Sequence, residues 1–275
     1  MTDAHPTILV TGSTDGVGRL VARKLAAGGA HVLVHGRNRE RAETLVKELR
    51  AAGGLATPYL ADLAALDEVR GLAEAIKRDH ERLEGLVNNA GIGTGAPGAK
   101  REVSRDGYEL RFAVNYLAAF LLTRLLLPLL VASRPARIVN VSSIGQQAID
   151  FDDVMLTRGY SGSRAYCQSK LAEVALTFDL AQELAGSVTV NCLHPATYMD
   201  TTMVRNAGIT PRSSVDEGAE AILRLVTSPE LGDKTGLFFD GLRPSRALDQ
   251  AYDAVARERL RRLSFELVGL PAPPR

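Results

Sequence analysis

Cysteine, excess charge and metal-ligand spacing are all scarce in this chain, and each shortage removes a class of function. Only two of the 275 residues are cysteine, Cys167 and Cys192. They are too few for a disulfide framework and lack the paired spacing of a thiolate metal site, so both read as packing residues in a reducing compartment. The five histidines, His5, His31, His35, His80 and His194, fall without ligand spacing, and no metal site is expected. A formal net charge of +1 argues against nucleic acid or another polyanion as partner. No cationic segment followed by an apolar run opens the chain, so no signal peptide is expected and the expected location is cytoplasmic. The longest apolar stretch, 116–132, is interrupted by Arg124 and Pro128. A bilayer span needs ~20 apolar residues with few charges, so this stretch reads as a buried amphipathic helix and no membrane partner is expected. No GxSxG elbow occurs anywhere, which removes a serine hydrolase of that type.

What is present is apolar surface in a regular order. With 45% hydrophobic residues the chain can bury a large core, and one α/β domain over 1–275 is expected rather than two small ones. Runs rich in Val, Ile and Leu recur at 8–11, 31–35, 55–60, 85–88, 137–141, 188–193 and 236–239, with helical segments between them. Strands that are apolar throughout are buried on both faces, so the alternation predicts a seven-stranded parallel sheet between two helix layers. A cofactor half of about 1–95, a catalytic half of about 96–243 and an arginine-rich C-terminal helix of about 244–267 are expected, with 271–275 as a frayed tail. The segment 91–100 reads as a small-residue loop, and 146–162 as a polar, acidic stretch with no period.

Two motifs carry chemistry. The first apolar run ends in Thr11-Gly12-Ser13-Thr14-Asp15-Gly16-Val17-Gly18, and a helix is expected from Val17 to Ala27 before Gly28-Gly29. Glycines let the backbone turn tightly and approach a pyrophosphate, while a helix N-terminus aims N–H groups and a positive dipole end at it. In the first unit of an alternating chain this is a dinucleotide-binding signal of the Rossmann type, doubly wound. The second motif is Tyr166-Cys167-Gln168-Ser169-Lys170. Residues at i and i+4 are neighbours on a helix face, and a fixed ammonium beside a phenol favours the phenolate. That combination makes a proton donor for a carbonyl or a proton acceptor for an alcohol.

Between them lie Asn88-Asn89-Ala90-Gly91 after the fourth run, Asn115 early in the long helix, and Asn140-Val141-Ser142-Ser143 at the end of the fifth run. This ordered set resembles the short-chain dehydrogenase/reductase family, classical type. The 146–162 insertion together with the surroundings of Tyr166 looks like its retinol-dehydrogenase-like branch, which reduces bulky apolar aldehydes and ketones. The resemblance implies Tyr166 as general acid/base, Lys170 lowering its pKa and holding the nicotinamide ribose, Ser143 hydrogen-bonding the substrate oxygen, and Asn115 anchoring a water relay. Strand alternation alone leaves Ser142 open beside Ser143. For the cofactor it implies Gly12, Ser13, Thr14, Asp15, Gly16, Val17 and Gly18 around the pyrophosphate. Asp62 and Leu63 would lie at the adenine, and Asn89, Ala90 and Gly91 beside the adenosine half. Pro195 and Tyr198 would face the nicotinamide and Thr201 a phosphate, with Thr202 open in its place.

Cofactor choice turns on His35-Gly36-Arg37-Asn38, where an NAD-binding fold normally shows an acidic residue. Arg37 can grip a 2′-phosphate, so NADP(H) is expected, with NAD(H) possible. Asp15 stands where a second basic residue is common in NADP-preferring members. Alternatives remain: Arg37 as a solvated cation, Asp150 to Asp153 as a solvated loop, and Met199 and Met203 as cleft lining or as core. A nucleotide-binding regulator without turnover is the alternative function. The family also implies pairing through the long helices, so a homodimer or homotetramer using the 117–130 face is expected.

Overall fold

A computed structural model describes residues 5–272; the end of the expected tail lies outside them. The chain alternates strand and helix from the start. It runs β1 Thr7–Val10, α1 Gly16–Ala27, β2 His31–Gly36, α2 Arg39–Ala51, β3 Leu55–Leu60, α3 Leu66–Asp79 and β4 Gly85–Asn88. A long helix follows, opening as a π-turn over Phe112–Leu117 and continuing as an α-helix over Ala118–Ala132; together these are α4. Then come β5 Ala136–Val141, α5 Gly162–Glu183, β6 Val188–His194, α6 Thr202–Asn206, α7 Val215–Thr227, β7 Phe238–Asp240, β8 Arg243–Ser245 and α8 Ala254–Leu267.

The strands form one sheet in the order β3-β2-β1-β4-β5-β6-β7-β8. The first seven are parallel, and β8 is added antiparallel to β7. The sheet is therefore one strand larger than expected. The extra strand is fully exposed and contains Pro244, features of an edge strand rather than of an apolar run. Strands β1 and β4 are buried along their whole length and share apolar cores with helices on both faces. Each Leu, Ile or Val so buried contributes about 1.5–3 kcal/mol. Chain order reverses between β1 and β4, and the crevice at the carboxyl ends of these strands is where such folds take ligands.

Beneath that crevice a buried polar ladder ties two helices to the sheet. Asn88 Nδ2 donates to Thr123 Oγ1 (3.0 Å) and to Asn140 Oδ1 (2.8 Å), and Asn140 Nδ2 donates to Thr177 Oγ1 (2.8 Å). Pairing of this kind in low dielectric fixes one arrangement of α4 and α5. The π-turn of α4 holds Asn115, and such turns are frequent at functional sites. Among the described residues, 112–132 is the one helix long and apolar enough to cross a membrane by length and composition, and 61% of its apolar window is buried inside the fold.

The C-terminal segment differs from the single helix expected over 244–267. The chain first makes β8 and a 3-10 turn over Asp249–Tyr252, and only then enters α8, capped by Asp253. This helix lies over α4 and α5. Tyr116 bonds Ser264 (2.6 Å), Phe120 meets Phe265 edge-on at 5.1 Å, and Arg257 pairs with Asp179 at 2.9 Å. Arg124 sits against both Phe120 and Phe265 and pairs with Glu183 (2.6 Å). At Phe120 and Arg124 the 117–130 stretch is covered by α8 of the same chain.

Candidate active site

The glycine turn is shaped by close backbone approach. Gly12 has φ +63°, and a Cβ there would stand 2.8 Å from Ala90 Cα. A Cβ on Gly18 would stand 2.4 Å from Asn89 Nδ2 and 2.5 Å from the Gly12 carbonyl oxygen. Neither site has room for a side chain, so the turn lies flat against the end of β4. Asn89 Nδ2 donates to the Thr11 carbonyl (2.8 Å), and the Asn89 and Ala90 amides donate to Thr11 Oγ1 at 2.9 and 3.0 Å. Asn89 thus braces the turn. Ser13 is buried and bonds the backbone of His35, Thr14 packs over Gly36, and Val17 is buried in the core. Asp15 caps α1 by accepting from the Gly16 amide at 2.7 Å.

Two residues here escaped the sequence reading. The buried His35 ring accepts from the Gly12 amide at Nδ1 (3.1 Å), so the turn rests on an imidazole that has to be neutral. Burial holds its pKa down at about 4. Arg41, at the start of α2, stands 3.8 Å from Asp15, which puts a second cation beside the glycine turn although Asp15 itself is acidic. Its spacing of four from Arg37 was the available signal. Arg37 is exposed just ahead of the Asn38 cap of α2.

Other expected cofactor residues divide. Asp62 Oδ1 accepts from the Ala64 amide (3.0 Å), while the Leu63 side chain is buried in the core and leaves its backbone alone for a ligand. Pro195 is buried beside Gly218, whereas Tyr198 is exposed with φ +48°. Thr201 caps α6 and faces Gly16, where a Cβ would stand 3.4 Å from its methyl; Thr202 is the exposed first residue of α6. Thr201 is therefore the member of the pair that borders the glycine turn.

The four expected catalytic residues reach one corner from three elements. At Gly91 a Cβ would stand 3.3 Å from Asn115 Oδ1 and 3.5 Å from Lys170 Nζ; at Gly145 one would stand 3.4 Å from Ser143 Oγ and 3.7 Å from Tyr166 Cε1. Asn115 is fully buried, taking the Ile92 amide at 2.8 Å and donating to Ser169 Oγ at 2.9 Å. The Ser142 hydroxyl donates to the Lys170 carbonyl (2.7 Å), whereas Ser143 Oγ accepts only the Gly145 amide (3.0 Å) and keeps its proton available. Lys170 Nζ lies 5.8 Å from the Tyr166 ring centroid and donates to the Val141 carbonyl at 2.9 Å.

Glu173, one turn further along α5, was not anticipated. Its carboxylate is buried 2.9 Å from Lys170 Nζ. Burial raises its pKa to about 7, against the pull of Lys170. Burial also works against the Lys170 charge, but Glu173 and then Tyr166 outweigh it, so the Lys170 pKa lies above the ordinary lysine value. The i,i+3 spacing was legible in the sequence; the burial of both groups was not.

The 146–162 insertion is pinned rather than loose. Asp150 pairs with Arg164, Asp152 with Arg259, and Asp153 caps the turn at Thr157 and Arg158. Gln250 holds Ile149 in both directions, and Arg111 ties Tyr160 (2.7 Å) to the Gly93 carbonyl (2.8 Å). These acids serve the loop's own structure. Met203 is exposed and lies over Gly93, while Met199 packs against the core beside Gly218.

The family model for short chain dehydrogenase matches residues 6–212. Human retinol dehydrogenase 13 is 38% identical over 97% of this chain and 86% of its own length, and human retinol dehydrogenase 14 is 37% identical over 96% and 86%. Among solved structures, an uncharacterized protein from Mycobacterium paratuberculosis superposes with TM-score 0.80 at 29% identity, covering 98% of this chain and 96% of that one. A protein described as a short chain dehydrogenase from Escherichia coli CFT073, complexed with NADPH, gives TM-score 0.71 at 30% identity over 86% and 96%. The chain belongs to the short chain dehydrogenase family, in its retinol-dehydrogenase-like branch, and is a nicotinamide-dependent oxidoreductase of alcohol and carbonyl groups.

Proposed function

We propose that the chain is an NADP(H)-dependent oxidoreductase of apolar carbonyl compounds or secondary alcohols, with Tyr166 as general acid/base. The observation that carries this reading is the meeting of Asn115, Ser143, Tyr166 and Lys170 in one corner beside the glycine turn. A nicotinamide bound there supplies the hydride. Ser143, whose hydroxyl proton is not taken by the protein, orients the substrate oxygen. Tyr166 gives that oxygen a proton in reduction and takes it back in oxidation. Lys170 holds the phenolate state accessible by its charge, and Asn115 keeps the Ile92 backbone and Ser169 in register behind it.

Gly12 and Gly18 let the turn close against Ala90 and Asn89, and the N-terminus of α1 that it leads into would take the pyrophosphate. Preference for NADP(H) is supported by the exposed Arg37, by Arg41 beside Asp15, and by NADPH in a structural relative. An apolar substrate is supported by three exposed apolar side chains: Ile144 next to Ser143, Met203 over Gly93, and Tyr198. A cytoplasmic location is part of this proposal; among the described residues the one span-like helix carries Asn115, and 61% of its apolar window is buried in the fold.

Fluorescence titration with NADPH and NADH, followed by oxidation with a panel of apolar aldehydes, ketones and quinones, tests this reading. Tighter NADPH binding with turnover of a panel member is expected. Preference for NADH would overturn the role of Arg37, and binding without turnover across the panel would favour a nucleotide-binding regulator.

A further inference from the structure

The Lys170 ammonium has three protons to donate, and one goes to the Val141 carbonyl at 2.9 Å. Its nitrogen also lies 2.9 Å from Glu173 Oε2, an ion pair in which that oxygen takes no hydrogen bond. Lysine and glutamate are both buried, so water screens neither charge. Lys170 is the only charged partner of the Glu173 carboxylate among the described residues. From β6 the group interacting with Glu173 is the Cys192 thiol, itself raised in pKa chiefly by burial; from α5 it is Lys170, which meets the uncharged Val141 carbonyl of β5 and has Tyr166 beyond it. An ionised Glu173 therefore leaves a neutral pair where an isolated ammonium would otherwise face Tyr166.

We propose that Glu173 is a positioning residue that holds Lys170 against β5 and offsets its charge, so that neutralising Glu173, by proton uptake or by substitution, exposes Tyr166 to the whole ammonium. The proposal rests on the role of Tyr166 stated above, and it deepens that role: proton transfer at the site becomes sensitive to a second, hidden acid. No bond other than O–H changes. The proton taken up by Glu173 comes from solvent and returns to it. A buried carboxylate whose pKa lies near 7 would make that exchange within the physiological range.

The experiment reads Tyr166 directly and needs no substrate. Alkaline absorbance titrations of the native chain and of Glu173→Gln are each compared with the same protein carrying Tyr166→Phe, so that the difference isolates one phenol. In Glu173→Gln the phenolate midpoint is expected to fall by about one pH unit, the size of effect that a nearby charge commonly has. Glu173→Asp, which keeps the charge, is expected to restore most of the native midpoint. Equal midpoints in native protein and Glu173→Gln would overturn the proposal while leaving the oxidoreductase reading intact; a failed turnover panel would do the reverse.

Should Glu173→Gln not fold, the native chain labelled with 13C-glutamate supplies the measurement. A carboxylic acid C=O band should grow in the infrared between about pH 8 and about pH 6, where ordinary glutamates stay ionised. Its absence would overturn the coupling of the site to proton uptake by Glu173.

Discussion

The glycine turn and the catalytic corner border the same crevice, yet they are held by opposite means. At the turn, three backbone segments touch where any Cβ would collide, and the one titratable group beneath it, His35, is buried in its uncharged form. At the corner, Lys170 and Glu173 are buried 2.9 Å apart, and the surrounding contacts are hydrogen bonds made by side chains. Shape is therefore fixed sterically at the glycine turn, the proposed cofactor side, and electrostatically at the corner, the proposed substrate side. A cofactor that is always the same suits a rigid mould, whereas proton transfer needs charges that can be adjusted.

The largest expected effect separates the two regions cleanly. Tyr166→Phe removes the proposed proton donor and leaves the turn untouched. Turnover should fall by about 10²–10⁴-fold, while the NADPH dissociation constant should change little. Steady-state rates and fluorescence titration on the same sample check both halves, and a parallel loss of binding would show that the two regions are not independent.

The pH dependence of stability sharpens the contrast. His35 titrates at about 4 in the fold and near 6.5 when unfolded. The unfolded chain binds the extra proton between those values, so stability is lost as pH falls from about 6.5 towards 4, by about 3 kcal/mol in all. Glu173 runs the other way. Its pKa is raised to about 7, so the folded chain binds the extra proton between about 4.5 and 7, and the associated stability declines as pH rises through that window. Over the shared range the two slopes oppose, and the native protein should show a shallow acid limb. Urea unfolding midpoints of Glu173→Gln should fall more steeply below about pH 6.5, because the compensating proton is gone. An acid limb as shallow as the native one would mean that His35 or Glu173 has been assigned the wrong charge state.

How far these regions could be read in advance follows from the same physics. Buried parallel strands such as β1 and β2 are apolar along most of their length and were visible as runs, and the glycine turn was visible because only glycine fits there. Strand β8 was invisible, being short, exposed and built around Pro244. The arginine-rich C-terminal helix looked like a solvated face, but Arg257 and Arg261 are nearly buried, and Arg257 pairs with Asp179, 78 positions away. His35, Arg41 and Glu173 carry ordinary side chains whose meaning comes from what the fold sets beside them. No local pattern announces that His35 will sit under Gly12 or that Glu173 will have no water.

A smaller expected effect probes the steric side alone. Gly18→Ala puts a methyl group 2.4 Å from Asn89 Nδ2 and 2.5 Å from the Gly12 carbonyl. The backbone oxygen cannot rotate away, so the turn must open. Overpacking of this kind costs about 1–3 kcal/mol, which thermal melts would register. NADPH affinity should drop with it, whereas the Tyr166 phenolate midpoint should stay put.

The smallest effect lies at the rim, where the steric mould gives way to exposed charge. Arg37 is exposed and has no ion-pair partner among the described residues, while Arg41 is drawn towards Asp15 at 3.8 Å. A 2′-phosphate would meet Arg37 with its charge uncommitted and Arg41 with part of its charge already answered. Arg37→Ser should therefore weaken NADPH roughly tenfold, the scale of one charge-assisted hydrogen bond, and leave NADH unchanged. Arg41→Ser should weaken it less, since part of the Arg41 charge is already answered by Asp15. Both losses should shrink as salt rises, because the Debye length of about 8 Å at physiological ionic strength screens exposed charges and leaves the Lys170–Glu173 pair largely unaffected. If Arg41→Ser proves the more damaging, the second cation rather than the first selects the cofactor, and the acidic Asp15 acts by steering Arg41 into place.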